Sequence, residues 1–519
     1  MQLNLRGPRG APVIRVPLSL AAAALSGAKI IARASVEVSG ICADSREVAP
    51  GDLFACLRGL HQDAQRFIPQ AVQRGARALL VDRPLLGEKY PGVGIVQVPD
   101  VARALAGLAA PFYGQPASVL RLVGVTGTNG KTTTTHLIRA IAERMPATGK
   151  KRGRHVGLIG TIQHEIAGRV FAAHNTTPMA WDLQKLLYAM VSAGCDLAVM
   201  EVSSHALDQN RVADCEFDVA VFTNLTQDHL DYHRTLAAYA RAKEKLFAGL
   251  AAPGAKVSPK TAVVNADDPL GLRMGRAAGG VDVLTYGLKA SAQVRASRVR
   301  ATERGNDFKL VTPRGAIDVR LPLLGEYNVS NALAAAAAGL ALGASLLQIK
   351  RGLESVTAVA GRLEKVAGRQ PFSVVVDFAH TPDALEKVLQ NVRAWTRGSV
   401  WVVFGCGGER DAGKRPLMGE ISARLADGVV LTSDNPRSED PVKIIAQIQA
   451  GCRRAGKAGV VEPDRRRAIR YALKQARPGD TVLLAGKGHE SQQTLKDRVL
   501  AFSDRQVAQE ELKKMGCGR

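Results

Sequence analysis

Aromatic side chains are scarce: Phe, Trp and Tyr together make up 4% of the 519 residues. Proteins that bind single strands stack bases on rings interleaved with basic residues, and the basic residues here are dispersed without such a stripe. Cysteine is sparse and unpatterned. The seven, at 42, 56, 195, 215, 406, 452 and 517, include no CxxC pair and no repeated metal spacing. Their odd number and scatter speak against a disulfide framework and for a reducing compartment, so the expected location is the cytoplasm. Long apolar runs are missing too. The alanine-rich stretch 332–342 is far short of the roughly 20 residues that span a bilayer, so no stable membrane insertion is expected. The nearest thing to a targeting signal is Arg6 and Arg9 followed by Val16 to Ala28. It continues through Lys29, Ile30 and Ile31 without a processing boundary and reads as an early helix. Acidic residues are outnumbered by basic ones, giving a net charge of +23. That surplus attracts polyanions but does not separate nucleic acid from a phosphorylated small substrate.

What is present is globular. Hydrophobic residues make up 46% and charged residues 23%, and the length allows several cores without staples. Three α/β modules are expected. Residues 1–115 mix short apolar strands (78–81, 93–98) with helical segments such as 67–75, and Pro111, Gly114 and Pro116 punctuate their end. Residues 116–358 begin with a strand at 119–125, followed by strands at 197–202, 219–222 and 262–265 alternating with helices and by a long helix over 325–347. Alternation of this kind predicts a mostly parallel sheet. Residues 359–519 repeat the pattern with strands at 373–377, 400–404, 428–432 and 481–485. No internal sequence repeat is evident. Ligands are expected between domains and at the carboxyl ends of parallel strands.

The strongest local signal is Gly-Val-Thr-Gly-Thr-Asn-Gly-Lys-Thr-Thr-Thr at 124–134, between a strand and a helix. Gly127 and Gly130 permit a tight turn, backbone N–H groups and the helix start face anionic oxygens, Lys131 supplies charge, and Thr132 reaches Mg²⁺. The compact Gly-x-x-Gly-Lys-Thr core departs from the common phosphate-loop spacing and by itself leaves ATP and GTP open. Glu201 closes an apolar strand, where it is either a Mg²⁺ ligand or a salt-bridge partner. Asp228-His229-Leu-Asp231-Tyr-His233 does not by itself make a zinc site. On spacing alone Lys243 reads as an exposed helical lysine.

Gly-Thr-Asn-Gly-Lys-Thr-Thr at 127–133, Glu-Val-Ser-Ser-His-Ala-Leu at 201–207, Asn-Leu-Thr-Gln-Asp-His-Leu-Asp at 224–231 and Asp-Asn-Pro-Arg at 434–437 together resemble the ATP-dependent Mur ligase family. The resemblance spans nearly the whole chain, in the family's order. It implies an α/β three-domain architecture: a uridine nucleotide domain over 1–115, a central ATPase domain with a mostly parallel sheet over 116–358, and a Rossmann-like amino-acid domain over 359–519. It implies a cytoplasmic, monomeric amide ligase of peptidoglycan precursor synthesis that uses ATP and Mg²⁺ and has no nucleic-acid partner. In that reaction ATP converts a carboxylate to an acyl phosphate, and an amine then displaces phosphate.

Site residues follow from the same resemblance. Gly127, Thr128, Asn129, Gly130, Lys131, Thr132 and Thr133 would cradle the nucleotide. Asn328, Asn331, Arg362, Asp377 and His380 would complete its site, with Phe378 where many relatives carry tyrosine. Thr132, Glu201, His229 and Lys243 would take the metal positions, Lys243 as the carbamate it forms with carbon dioxide. Lys131, Lys243 and Arg362 would be catalytic; His205 is a candidate proton acceptor by its chemistry and its nearness to the motif, not by the resemblance. Ser45, Arg46, Thr176, Thr177, Ser203 and Arg211 would bind UDP-N-acetylmuramoyl-L-alanyl-D-glutamate, near a loop His61-Gln-Asp-Ala64 that lacks the relatives' frequent glycine after aspartate. Arg410, Asp434, Asn435, Arg437, Gly486 and Glu490 would bind meso-2,6-diaminopimelate, with Arg437 on its distal carboxylate. A lysine-adding relative would gain little from that arginine, and Asp44-Ser45-Arg46 with the 434–437 motif argues against folylpolyglutamate synthase. A nucleic-acid-binding ATPase is the alternative from another class.

Overall fold

The computed structural model describes residues 15–57, 63–85, 90–146, 155–254, 256–289, 291–302 and 304–517. Arg6, Arg9, His61 and Gln62 lie outside the described residues. Three large sheets carry the chain, one of five strands, one of eleven and one of six, and two two-stranded ribbons accompany them.

The middle of the eleven-stranded sheet is parallel, in the spatial order Val156–Ile159, Leu197–Glu201, Arg121–Thr126, Val219–Phe222, Thr261–Asn265, Asp282–Gly287. All but the last of these strands are short apolar runs because both faces are covered, and Leu122, Val123 and Val125 are wholly buried. Burial on this scale contributes about 1.5–3 kcal/mol for each aliphatic side chain. Val294–Thr302 joins Asp282–Gly287 in parallel, and antiparallel strands then extend both edges, Gln163–Ile166 with Arg169–Ala172 on one side and Gly305–Thr312 with Gly315–Leu321 on the other.

Two helices cover the face behind the phosphate loop, Lys131–Ala142 and Tyr327–Ala341. Ala332 through Ala338 are wholly buried, and small side chains let the second helix approach closely. A Cβ on Gly339 would stand 3.0 Å from Ile141 Cγ2. The long helix expected over 325–347 is therefore two helices. Gly343 turns into the left-handed region (φ 90°), and Ser345 caps a second helix, Leu346–Ser355, with Gln348 completing a reciprocal capping box.

Two other expectations shift for similarly local reasons. The early helix over Val16–Ala28 is only Leu18–Ala23, since Val16–Pro17 pairs as a strand and Gly27 has φ 71°. Val119 belongs to a short helix, Pro116–Val119, so the following strand starts at Arg121.

The carboxy-terminal sheet runs Glu364–Lys365, Ser373–Asp377, Thr481–Ala485, Val400–Phe404, Gly428–Leu431, Val460–Val461, and every pair after the first is parallel. Asp377, Asp434 and Gly486 thus emerge at one end of the sheet, the carboxyl end where parallel sheets bind ligands. A fully enclosed ion pair braces that end. Arg465 bonds both oxygens of Asp504 and donates to the carbonyls of Ala485 (2.9 Å) and Ser433 (3.4 Å). The amino-terminal sheet orders Lys29–Ala32, Gly94–Gln97, Ala78–Val81, Asp52–Ala55, Gly40–Cys42, parallel except for the first pair.

Candidate active site

Strand Arg121–Thr126 delivers the phosphate loop, and the loop's shape depends on its glycines. Gly127 has φ 150° and Gly130 φ 87°; a Cβ would come within 1.8 Å of Thr223 Oγ1 at the first and 2.4 Å of Asn331 Oδ1 at the second. The Asn-Leu-Thr segment at 224–226 clamps the outside of the loop. Asn224 receives the N–H of Asn129 (3.0 Å) and donates to the Asn129 carbonyl (3.1 Å), while Thr223 donates to the same carbonyl at 2.6 Å. Lys131 folds back, its Nζ donating to the carbonyls of Gly127 and Thr128, both at 2.9 Å. Burial lowers its pKa, opposed by the carboxylates of Glu201 and Asp228. Thr133 is buried in the first helical turn.

At the neighbouring strand end, Glu201 is 1% exposed. Its Oε2 accepts from Thr132 Oγ1 and Thr161 Oγ1, both at 3.0 Å, and its Oε1 accepts from the Thr161 N–H at 2.8 Å. No lysine or arginine pairs with it among the described residues, which removes the salt-bridge reading. The same knot holds Thr176 through Thr161 (3.0 Å) and Thr177 through the Glu201 carbonyl (2.8 Å). Thr177 in turn receives the Ser203 N–H (3.0 Å), and its carbonyl receives Arg211 Nη1 (3.1 Å). Thr132 and Glu201 form an oxygen set of the kind Mg²⁺ prefers, beside a backbone loop that extra Cβ atoms would fill; nucleotide and Mg²⁺ both fit these residues.

Lys243 overturns the reading from spacing: it is 1% exposed. Its Nζ sits 4.4 Å above the Tyr239 ring, and the Tyr239 hydroxyl lies 3.3 Å from Thr128 Oγ1. Burial holds the Lys243 amine well below the ordinary lysine range, reinforced by the Lys131 cation and opposed by Asp228. A lowered amine pKa eases the loss of the proton that keeps a lysine from acting as a nucleophile. Beside it His229 meets His205 edge-on at 4.8 Å, and His233 stacks on Tyr239 at 5.1 Å. Burial pushes the His229 imidazole down to about 4 despite Asp228. No group of three or more His, Cys, Asp or Glu side chains able to hold a metal occurs among the described residues.

The carboxy-terminal domain closes over this centre. Arg362 Nη2 donates to Thr132 Oγ1 at 3.1 Å, and the guanidinium lies 5.0 Å from the Phe378 ring, which also packs against His380 and His489. Aromatic packing thus survives the loss of the tyrosine hydroxyl. Asn331 accepts from Thr134 Oγ1 (3.4 Å) and donates to Asn328 Oδ1 (2.9 Å), both asparagines being buried against the loop helix. Asp377 accepts the N–H groups of Leu363 and Ala379, each at 2.8 Å, and burial raises its pKa against the pull of Arg362. His380 Nδ1 donates to the Phe378 carbonyl at 2.7 Å, which fixes its tautomer. A residue the motif reading missed is Asp383, whose Oδ2 receives Asn129 Nδ2 (3.0 Å) and Thr226 Oγ1 (3.2 Å) across the domain junction. Its place six residues after Asp377, in the first turn of helix Pro382–Trp395, is the signal that was available.

The turn after strand Gly428–Leu431 carries Asp434 and Asn435, both buried, and Arg437 in the left-handed region (φ 52°). Arg437 Nη1 donates to the Gly408 carbonyl at 2.6 Å. A Cβ on Gly407 would lie 3.1 Å from Arg437 Nη1 and 3.8 Å from Arg410 Cγ, which places both arginines around one turn. Gly486 (φ 107°) passes so close that a Cβ would stand 2.8 Å from Asp434 Oδ2. Asn435 Nδ2 donates to Glu490 Oε2 at 2.8 Å. In the amino-terminal domain Ser45 donates to Gln70 Oε1 (2.8 Å), and Arg46 forks onto Asp44 (2.6–3.2 Å). No hydrogen bond or ion pair joins Ser45 or Arg46 to the other two sheets' domains among the described residues.

Three family models match in chain order: the Mur ligase family catalytic domain over residues 37–113, the Mur ligase middle domain over 125–339 and the Mur ligase glutamate ligase domain over 361–488. A UDP-N-acetylmuramoyl-L-alanyl-D-glutamate--2,6-diaminopimelate ligase of Geobacillus thermodenitrificans is 48% identical over 91% of this chain and 94% of its own. The protein of that description from Gloeobacter violaceus is 46% identical over 92% and 94%. A solved structure described as that ligase superposes with a TM-score of 0.61 at 33% identity, covering 94% of this chain and 97% of the other. With its three domains matched in order and nearly its full length shared with such relatives, the chain belongs to the Mur ligase family.

Proposed function

We propose that this enzyme joins meso-2,6-diaminopimelate to the D-glutamyl carboxylate of UDP-N-acetylmuramoyl-L-alanyl-D-glutamate at the expense of ATP, a step of peptidoglycan precursor synthesis. The relatives of that description support the substrates. The observation that carries the chemistry is the junction of Arg362, Thr132 and Glu201, where a cation from one domain, the first helical turn of the phosphate loop and a strand-end carboxylate share one hydroxyl.

A free carboxylate resists attack by an amine because oxide is a poor leaving group, and ATP supplies the activation by making it an acyl phosphate. The loop N–H groups and Lys131 would bind the triphosphate, for which Lys131 exchanges its two carbonyl partners. Thr132, Glu201, His229 and carbamylated Lys243 would hold Mg²⁺, which neutralises charge on the transferring group. Arg362 stabilises that charge from the opposite wall. Asn328, Asn331, Asp377 and His380 line the nucleotide side. Thr176, Thr177, Ser203 and Arg211, tied to the Glu201 strand end, would orient the incoming peptide, with Ser45 and Arg46 receiving its uridine diphosphate portion.

For the amino acid, Arg437 and Arg410 would face the distal carboxylate, and Asp434, Asn435 and Glu490 its ammonium, around the close approach at Gly486. L-Lysine offers no distal carboxylate and leaves that arginine pair unanswered. All seven cysteines are free, which suits a cytoplasmic protein, and no helix among the described residues is long and apolar enough to cross a membrane. A monomer suffices, since every named group comes from one chain.

The test is ADP release in mixtures lacking one component at a time. ADP release beyond a single turnover is expected only when the uridine-linked dipeptide and diaminopimelate are both present. Equal ADP release with nucleic acid and no acceptor contradicts the proposal.

A further inference from the structure

Lys487 is buried to 0% exposure beside the amino-acid turn, and neither the sequence motifs nor the reaction above uses it. Its Nζ donates to Glu490 Oε2 at 2.9 Å and to Asn435 Oδ1 at 3.2 Å. Asn435 Nδ2 donates to the same Glu490 oxygen at 2.8 Å, which closes a three-membered ring of side chains. The ring is anchored to the backbone, since the Thr494 N–H also donates to Asn435 Oδ1 (2.9 Å) and the Arg437 N–H donates to the Thr494 carbonyl (3.2 Å).

Two consequences follow from donor and acceptor chemistry. An amide can present its oxygen or its nitrogen, and two donors on Oδ1 allow only one orientation of Asn435, with its N–H₂ group toward Glu490. Both side-chain bonds to Glu490 fall on Oε2, which leaves Oε1 for an incoming ammonium group. The Glu490 side chain is 33% exposed while the lysine is enclosed, so the lysine braces the carboxylate from behind and does not compete for ligand.

We propose that Lys487 is a positioning residue for amino-acid selection, one that sets the Asn435 amide and holds Glu490 as the anionic receptor of the diaminopimelate ammonium group. The inference rests on the diaminopimelate site proposed above. Other buried groups carry less: the Arg465–Asp504 pair bonds only backbone carbonyls of this end of the sheet, and the shallow hollow at Ala412, Pro416, Gln447, Ala450 and Arg454 holds no convergent polar set.

The test uses steady-state kinetics of the full-length enzyme with each substrate varied in turn. Lys487→Met is expected to raise KM for diaminopimelate at least about tenfold, the size of a lost charge-assisted hydrogen bond. KM for ATP and for the uridine-linked substrate should stay within about twofold. In a Glu490→Gln background the added Lys487→Met change should cost less than about threefold, because the group it acts through is already altered. Lys487→Gln, which keeps an N–H donor, should recover part of the loss and serves as the second variant where Lys487→Met folds poorly. Equal rises in all three KM values, or full additivity with Glu490→Gln, overturns the proposal. Failure of the wild type to use diaminopimelate overturns the site itself, and so is distinguishable.

Discussion

Lys243 and Lys487 are both enclosed by protein, yet their surroundings give them opposite chemistry. Lys243 lies over an aromatic ring near another lysine, and among the described residues no carboxylate bonds it. Removing a charge from water without a partner is costly, so burial there favours the neutral amine, a nucleophile toward carbon dioxide. Lys487 is met by a carboxylate and an amide oxygen, so its ammonium has acceptors and acts as a fixed donor. The pair teaches that burial alone does not assign a lysine its role; what stands within hydrogen-bonding distance does.

Three substitutions put this contrast to the test. The largest effect is expected from Lys243→Met, which keeps the packing but removes the amine. Turnover should fall by about 10²–10³, the range for a lost group that stabilises transition-state charge, with little change in KM for diaminopimelate. A KM rise like that of Lys487→Met, with turnover kept, would erase the distinction between the two lysines. An effect of about tenfold is expected from Asp383→Ala, which removes the acceptor shared by Asn129 and Thr226 across the domain junction. It should appear in KM for ATP and leave amino-acid selection intact. Phe378→Tyr, which adds a hydroxyl to a ring already packed against Arg362, should alter KM for ATP by no more than about threefold.

Stability gives an independent reading of Lys243. Its folded pKa lies well below the ordinary 10.5, so in bicarbonate-free buffer the unfolded chain binds the proton more readily than the folded one. That group's contribution to stability is present in full above 10.5 and is lost as pH falls toward the folded value. Lys243→Met should therefore raise Tm near neutral pH, by about 2–4 °C for each kcal/mol relieved, and the gain should shrink as pH approaches 10.5. Thermal scans across that range check it; a gain that grows with pH contradicts a neutral Lys243. Added bicarbonate should stabilise the wild type and leave the methionine variant unmoved.

The contrast also shows which parts of the site can be read from the chain. The phosphate loop is legible because its glycines, lysine and threonine are contiguous and their types answer directly to phosphate. The Asp-Asn-Pro-Arg turn stands out only through its resemblance to the family's motif. The fold class follows from apolar runs alternating with helical periodicity, and the parallel strands match those runs closely. What escaped depends on distant partners. Lys243 reads as exposed because Tyr239 and Phe247 on its own helix say nothing of Lys131 or Asp228. Lys487 stands between two motif glycines, and only the fold brings Asn435 across to it. The long helix expected over 325–347 missed its break because alanine and leucine continue past Gly343, while the decisive capping box involves only Ser345 and Gln348. Asp383 sits at the start of its helix like an ordinary helix-favouring acid until the domains meet.

The most direct measurement is product mass from one competition, with equal meso-diaminopimelate and L-lysine supplied to the wild type, Lys243→Met and Lys487→Met in the presence of ATP, Mg²⁺ and the uridine-linked dipeptide. The wild type should yield the diaminopimelate tripeptide almost alone. Lys243→Met should yield little of either product, and Lys487→Met should lose the diaminopimelate product at low amino-acid concentration and regain it at high concentration. Comparable lysine product from the wild type, or a Lys487→Met variant indistinguishable from it, would contradict the account.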